Sequence, residues 1–226
     1  MTQIAQNLEE VKRRLSAAAL RAGRDPAQVR LVAVSKTVPV ELIRAAVAAG
    51  QRLFGENYLQ EARGKVEALG EAVSWHFIGH LQSNKAKGAV ELFELIHGVD
   101  RLKLARALNA AAASLGQVQE ILLQINLAGE TSKSGAGPEA AAALLREISL
   151  LPHLRVLGLM TMPPFLEPEA VRPYFRALRE LRDQLQDLSG RPLPELSMGM
   201  SGDYEVAIEE GATLVRVGTA IFGSRV

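Results

Sequence analysis

Cysteine is absent from the 226 residues, which excludes a disulfide framework, a zinc–thiolate centre and a thiol nucleophile and is compatible with a reducing compartment. No sign of charge dominates. The 26 Lys and Arg against 25 Asp and Glu leave a formal +1, and no run of like charge supplies the footprint of a duplex-binding protein, so nucleic acid is not an expected partner. No stretch approaches the roughly 18 consecutive apolar residues of a bilayer span, and the amino terminus lacks the unbroken apolar core of a signal peptide. The expectation is a cytoplasmic protein without a membrane partner. Pro/Gly/Ser-rich or charge-rich linkers are also missing, so residues 1–226 read as one domain. A G-x-G-x-x-G turn does not follow the first strand, which mildly disfavours a dinucleotide site.

What is present is the composition of a filled core with a solvated surface, 48% hydrophobic and 23% charged, which rules out disorder as the dominant state. Met1–Gly23 places Ile4, Leu8, Val11 and Leu15 at helical spacing among charged residues, an amphipathic helix ahead of the rest. Short apolar runs then alternate with helical stretches. The runs are Leu31–Ser35, Arg52–Gly55, Ser74–Gly79, Leu95–Val99, Glu120–Leu127, Val156–Met162, Glu195–Met200 and Leu214–Phe222. Helical spacing covers Val40–Ala49, Tyr58–Leu69, Arg101–Leu115, Pro138–Leu150, Val171–Leu188 and Tyr204–Glu210, with Gly50 and Gly116 at stop positions. Strand–helix alternation without hairpin signals implies right-handed parallel crossovers. Eight units in this length favour a closed (β/α)8 barrel, the TIM-barrel architecture, with an extra amino-terminal helix; an open doubly wound sheet is the alternative.

In a barrel, chemistry collects at the carboxyl ends of the strands. The first run leads directly into Lys36, where an ammonium loses hydration unless it is paired, snorkels outward or has a lowered pKa. An amine of lowered pKa suits imine formation, while an ion pair with Glu56 is the plainer reading. After the seventh and eighth runs, Ser201, Gly202, Gly218 and Thr219 can offer a hydroxyl and unobstructed backbone amides, the recurrent phosphate site of this fold. Tight turns would also explain the glycines. Barrel closure puts Lys36 one or two strand spacings, roughly 5 to 10 Å, from that site, a gap that a phosphorylated aldehyde fits. Arg216, two residues before Gly218, faces the same side if both lie on a strand; either it serves a ligand ring or it pairs with Glu56 or Asp203.

Six segments carry a further signal: Leu31–Pro39 (LVAVSKTVP), Phe54–Tyr58 (FGENY), Trp75–Lys85 (WHFIGHLQSNK), Thr131–Gly135 (TSKSG), Gly158–Met162 (GLMTM) and Ser197–Arg225 (SMGMSGDYEVAIEEGATLVRVGTAIFGSR). In this order, across nearly the whole chain, they resemble the YggS/PROSC family of pyridoxal phosphate homeostasis proteins, related to the barrel domain of alanine racemase, the fold-type III class. The resemblance implies pyridoxal 5'-phosphate (PLP) as cofactor, a Schiff base on Lys36, phosphate contacts from Ser201, Gly202, Gly218 and Thr219, Arg216 near the pyridine nitrogen, and Asn57 beside the ring oxygen. It also implies buffering or delivery of the cofactor, with apo-enzymes that use PLP as recipients.

A two-base racemase needs an acid/base group on each face, and in alanine racemase the second is a tyrosine from a carboxyl-terminal β domain of the partner subunit. This sequence stops at Val226, soon after the eighth run, and Tyr58 and Tyr204 each read as the first residue of a helix. The expectation is therefore a monomeric or weakly associating carrier without catalytic residues; a racemase of low activity and a phosphate-ester enzyme are the alternatives. His80 and Lys85 fall at the rim. His76 and His80 share a strand face but have no carboxylate partner, so no metal is expected. Lys133 could be a second amine that receives the aldehyde from Lys36, or a solvated surface lysine. Met160, Met162 and Met198 read as core packing, with padding of a ligand ring as the alternative.

Overall fold

Apolar runs too short to stand alone are stable only when paired and covered, and here they pair in chain order around a closed ring. The computed structural model describes residues 2–70, 73–130 and 134–223. Its strands are β1 (Arg30–Val34), β2 (Leu53–Glu56), β3 (Ser74–Phe77), β4 (Leu95–Val99), β5 (Gln119–Ile125), β6 (Leu154–Thr161), β7 (Glu195–Ser197) and β8 (Leu214–Val217). Every neighbouring pair is parallel, and β1 closes on β8 in the register Arg30↔Leu214 to Ala33↔Val217. Parallel pairing requires crossovers, which the helices provide. They are α1 (Gln3–Arg21), α2 (Val40–Ala48), α3 (Leu59–Leu69), α4 (Ala86–Leu92), α5 (Leu102–Ser114), α6 (Ala141–Ser149), α7 (Pro168–Ser189), α8 (Tyr204–Glu209) and α9 (Thr219–Phe222).

Several elements differ from the sequence reading. Leu214–Phe222 is not one strand: β8 stops at Val217, Gly218 caps α9, and Phe222 N–H donates to Gly218 O at 2.9 Å. Thr-Ala-Ile-Phe is an apolar run too short for periodicity to separate strand from helix. Gly218 and Arg216 therefore do not share a strand face. β7 likewise ends at Ser197, short of Met200, which releases Met198–Asp203 as a turn. α4 was not anticipated, because Lys87 and Gly88 interrupt the small buried face of Ala86, Ala89 and Val90. α7 begins at Pro168 rather than Val171, with proline in the first turn, where its missing N–H costs nothing.

The barrel interior is stratified. Val32, Leu95, Leu122, Met160 and Leu214 fill it with a dry apolar plug. Two residues further along β4 and β8, inward-facing His97 and Arg216 join His76 and Ser197 in a buried polar layer. The wider core lies between the strands and the helices. α1 buries Ile4, Leu8, Val11 and Leu15 and buttresses the last two helices, with Asn7 Nδ2 donating to Ile221 O at 2.8 Å. Its surface pairs, Arg14–Glu205 and Arg21–Glu209, both 2.9 Å, add little stability but fix the direction of docking. Among the described residues no helix is long and apolar enough to cross a membrane.

Candidate functional site

Above the polar layer, at the carboxyl ends of the strands, opens a cavity of about 680 Å³. Lys36, Asn57, Ser201, Gly202, Arg216, Gly218 and Thr219, all nominated from sequence, line it together with Val34, Ile78, Met162, Phe165, Met200 and Ala220. Lys36 follows β1 after the fully buried Ser35 and is itself half-buried. Glu56 is not its hydrogen-bond partner: Glu56 Oε1 accepts from the Ser35 hydroxyl (2.6 Å) and the Lys65 ammonium (2.8 Å), and Oε2 has no hydrogen-bond partner among the described residues. Burial pushes the Glu56 carboxyl upward, against the pull of Lys65 and Ser35.

Asn57 leaves the end of β2 with its Oδ1 buried and without a hydrogen-bond partner among the described residues. That unmet acceptor is costly unless something entering the cavity satisfies it. Its backbone is fixed by close approach, since a Cβ on Gly79 would lie 2.5 Å from Asn57 O. On the opposite wall, Asp203 Oδ1 accepts from Met200 N–H at 2.5 Å and shapes the turn that presents Ser201. Burial raises the Asp203 carboxyl, with the Met200 amide and the field of Arg216 opposing. Ser201 Oγ accepts from Gly218 N–H (3.3 Å) and Ala220 N–H (3.5 Å), so hydroxyl and amides converge on one spot. Beside it, a Cβ on Gly202 would meet nothing within 4 Å.

Arg216 forms the floor. It is only 4% exposed, and its guanidinium donates to Ser197 Oγ (2.5 Å) and Thr161 O (2.9 Å). Neither carboxylate suggested by the sequence pairs with it; Asp203 acts only through its field, and burial lowers the guanidinium to about 10. Because arginine can only donate, Ser197 Oγ must accept from it. The hydroxyl can then donate to His97 Nδ1 (2.8 Å), and His97 Nε2–H to His76 Nδ1 (3.0 Å). This direction needs both imidazoles neutral, and burial ensures it: His76 is lowered to about 3 and His97 well below its ordinary value. Sequence reading missed Ser197, Thr161 and His97 as supports. The available signal was a polar residue at an inward position of an apolar strand, as in Leu95-Ile96-His97-Gly98-Val99.

Other nominated residues lie elsewhere. His80 is exposed, with Nδ1 3.0 Å from Ser134 Oγ, and Lys85 is exposed in the turn before α4; neither lines the cavity. Lys133 falls outside the described residues. Tyr58 caps α3 and is exposed, whereas Tyr204 opens α8 and is buried with the Arg14 guanidinium 5.5 Å from its ring. Met160 lies in the plug and Met198 in the outer core, leaving Met162 as the one of the three that borders the cavity.

Fold and site together define a parallel barrel with an amine at its mouth, a buried guanidinium at its floor and a hydroxyl–amide cluster on one wall. The alanine racemase N-terminal domain family matches residues 2–226. A pyridoxal phosphate homeostasis protein of Aquifex aeolicus (strain VF5) is 49% identical over 222 residues, 97% of each chain. Its counterpart in Pseudomonas aeruginosa is 50% identical over 227 residues, covering 100% of this chain and 97% of the other. The structure of PipY from Synechococcus elongatus PCC7942, with PLP bound, superposes with a TM-score of 0.85 at 40% identity, covering 97% of this chain and 100% of that one. The chain belongs to the family of pyridoxal phosphate homeostasis proteins, built on the barrel of the alanine racemase N-terminal domain.

Proposed function

We propose that this protein binds PLP in the barrel-mouth cavity and serves cytoplasmic cofactor homeostasis by holding PLP and handing it to apo-enzymes, without robust catalysis of its own. The observation that carries the proposal is the buried Arg216, which has no carboxylate ion pair among the described residues and borders the cavity that Lys36 also lines. The residues present fit the cofactor. Ser201 Oγ with the amides of Gly202, Gly218 and Thr219 would hold the phosphate, the unmet Asn57 Oδ1 would lie beside the ring oxygen, and Arg216 would reach the ring nitrogen. When bound, PLP supplies an aldehyde that an amine captures reversibly with loss of water, and a ring that stabilises carbanions best when its nitrogen is protonated. Lys36 supplies the amine.

Two features argue for holding over turnover. Arg216 keeps its charge at neutral pH, because even a lowered value of about 10 leaves it cationic, and a cation there disfavours ring protonation. Apart from Lys36, no lysine, histidine, tyrosine or carboxylate is among the described residues lining the cavity, so these residues supply no second base on the opposite face. The names of the curated relatives and the PLP-bound PipY structure support the same reading.

Borohydride reduction of PLP-loaded protein, followed by peptide mass spectrometry and an assay of α-proton exchange in alanine, tests it. A pyridoxyl adduct confined to Lys36 without exchange is expected. Rapid exchange would make the protein a racemase, and no adduct on Lys36 would overturn the proposal.

A further inference from the structure

The turn that carries Lys36 is gripped from beneath by a buried ionic network that the proposed function does not itself require. Lys65, on α3, has a side chain only 6% exposed. Its ammonium donates to Ser35 O (2.6 Å), Glu56 Oε1 (2.8 Å) and Glu61 Oε1 (2.5 Å), so each of its three protons has an acceptor. The same Glu61 oxygen accepts from Thr37 N–H. The network thus holds the carbonyl of the residue before Lys36 and the amide of the residue after it. Thr37 is, among the described residues, the one non-glycine with positive φ, +62°. A β-branched residue is strained there, by a penalty equivalent to roughly fivefold to thirtyfold in an equilibrium constant.

We infer that Glu61 and Lys65 are positioning residues for Lys36, holding Thr37 in its left-handed conformation so that the Lys36 amine meets the cavity at a fixed height. The inference rests on the reading of Lys36 as the capturing amine. Docking α3 onto the barrel does not account for the arrangement, because apolar side chains would do that without burying charges. Strain persists only where its surroundings over-determine it, and here the restraints converge on the peptides either side of one functional side chain.

The experiment uses the full chain with Glu61→Ala, chosen because the Glu61 side chain is 27% exposed and its loss leaves the Lys65–Glu56 pair intact. Binding of PLP is compared with that of pyridoxine 5'-phosphate, which has the same ring and phosphate but no aldehyde for an amine to capture. The expected result is PLP affinity weakened roughly fivefold to thirtyfold, the left-handed penalty above, with pyridoxine 5'-phosphate affinity unchanged. Adding Thr37→Gly, which adopts positive φ without strain, should recover half or more of the loss. Unchanged PLP affinity, parallel weakening of both ligands, or no recovery with glycine would overturn the inference. Lys65→Met provides a second variant with the same selective effect expected on PLP. Wild-type protein that yields no borohydride adduct on Lys36 would mark failure of the underlying functional reading, a result distinguishable from any of these.

Discussion

Arg216→Met separates the roles a buried guanidinium can have, strut or ligand group. Burial lowers Arg216 from the ordinary guanidinium range to about 10, and at ~1.36 kcal/mol per unit that is about 3 kcal/mol held against the folded state. Against this stand two hydrogen bonds, to Ser197 Oγ and Thr161 O, whose loss costs about 1 to 3 kcal/mol each where an acceptor is left unmet. Ser197 keeps His97 as a partner, so the larger cost falls on Thr161 O. The opposing effects nearly cancel, and the cofactor-free variant should lie within about 2 kcal/mol of the parent, a shift of about 4 to 8 °C at most in a chain of this size. PLP affinity should behave differently. A charge-assisted bond to the ring nitrogen contributes about 1.5 to 3 kcal/mol, so binding should weaken roughly tenfold to 150-fold.

The pH dependence supplies an internal control. A basic group with a depressed folded-state pKa carries its full penalty below that pKa and sheds it only as pH rises above about 10 towards the ordinary guanidinium range. The stability difference between parent and Arg216→Met should therefore be flat from about pH 6 to 9. Thermal unfolding without cofactor and spectrophotometric PLP titration provide both measurements. A variant that loses more than about 5 kcal/mol while the folded fraction binds PLP normally would make Arg216 a strut and refute the reasoning.

His76 and His97 bind protons in the unfolded chain near pH 6.5 but resist them when folded, so their contribution is complete above pH 6.5 and falls as pH drops below it, for His76 down to about 3. At pH 5 this amounts to about 2 kcal/mol for His76, with His97 acting in the same direction, opposed by Glu56 and Asp203, whose carboxyls are raised. His76→Asn/His97→Gln should accordingly lose less stability than the parent between pH 6.5 and 5 in denaturant titrations, and parallel profiles would contradict this. Gly79→Ala would drive a Cβ to 2.5 Å from Asn57 O and should cost more than about 2 kcal/mol together with ligand affinity. Gly64→Ala, inside α3 with nothing within 4 Å, should instead stabilise by about 0.5 to 1 kcal/mol with binding unchanged, as read by thermal unfolding. Ser201→Ala should weaken PLP about tenfold while barely affecting unphosphorylated pyridoxal, and equal loss for both would move the phosphate elsewhere.

The barrel was legible because strand–helix alternation without hairpins leaves few topologies open, and because each of its eight apolar runs overlies an observed strand, seven of them with both ends within three residues. The cavity-lining residues were legible for a related reason: Lys36, Asn57 and Ser201 follow strand ends, so their placement is local once the barrel is assumed. Partners were not legible. Arg216 finds Ser197 on β7 and Thr161 on β6, and Glu56 finds Lys65 across a turn of chain, contacts that depend on tilt and stagger between strands rather than on spacing along them. The end of β8 was misread because four small and apolar residues satisfy strand and helix alike.

Both polar networks sit where a barrel core would be cheaper if it were apolar, since buried charges and imidazoles cost desolvation that packed aliphatic side chains do not. One network ends on the guanidinium at the cavity floor, and the other on the peptides flanking Lys36 at its mouth. Between them they hold Arg216 and the peptides flanking Lys36, and among the described residues lining the cavity there is no further lysine, histidine, tyrosine or carboxylate. Among the described residues the mouth is not closed over this pair: Phe165, which borders the cavity, is 97% exposed, and Met162 beside it is 40% exposed. Catalysts of carbanion chemistry gain from excluding water and covering the reacting centre. Under the function proposed above, a rigid floor, a held amine and an open mouth suit reversible capture, with exchange limited by the chemistry at Lys36 rather than by a lid.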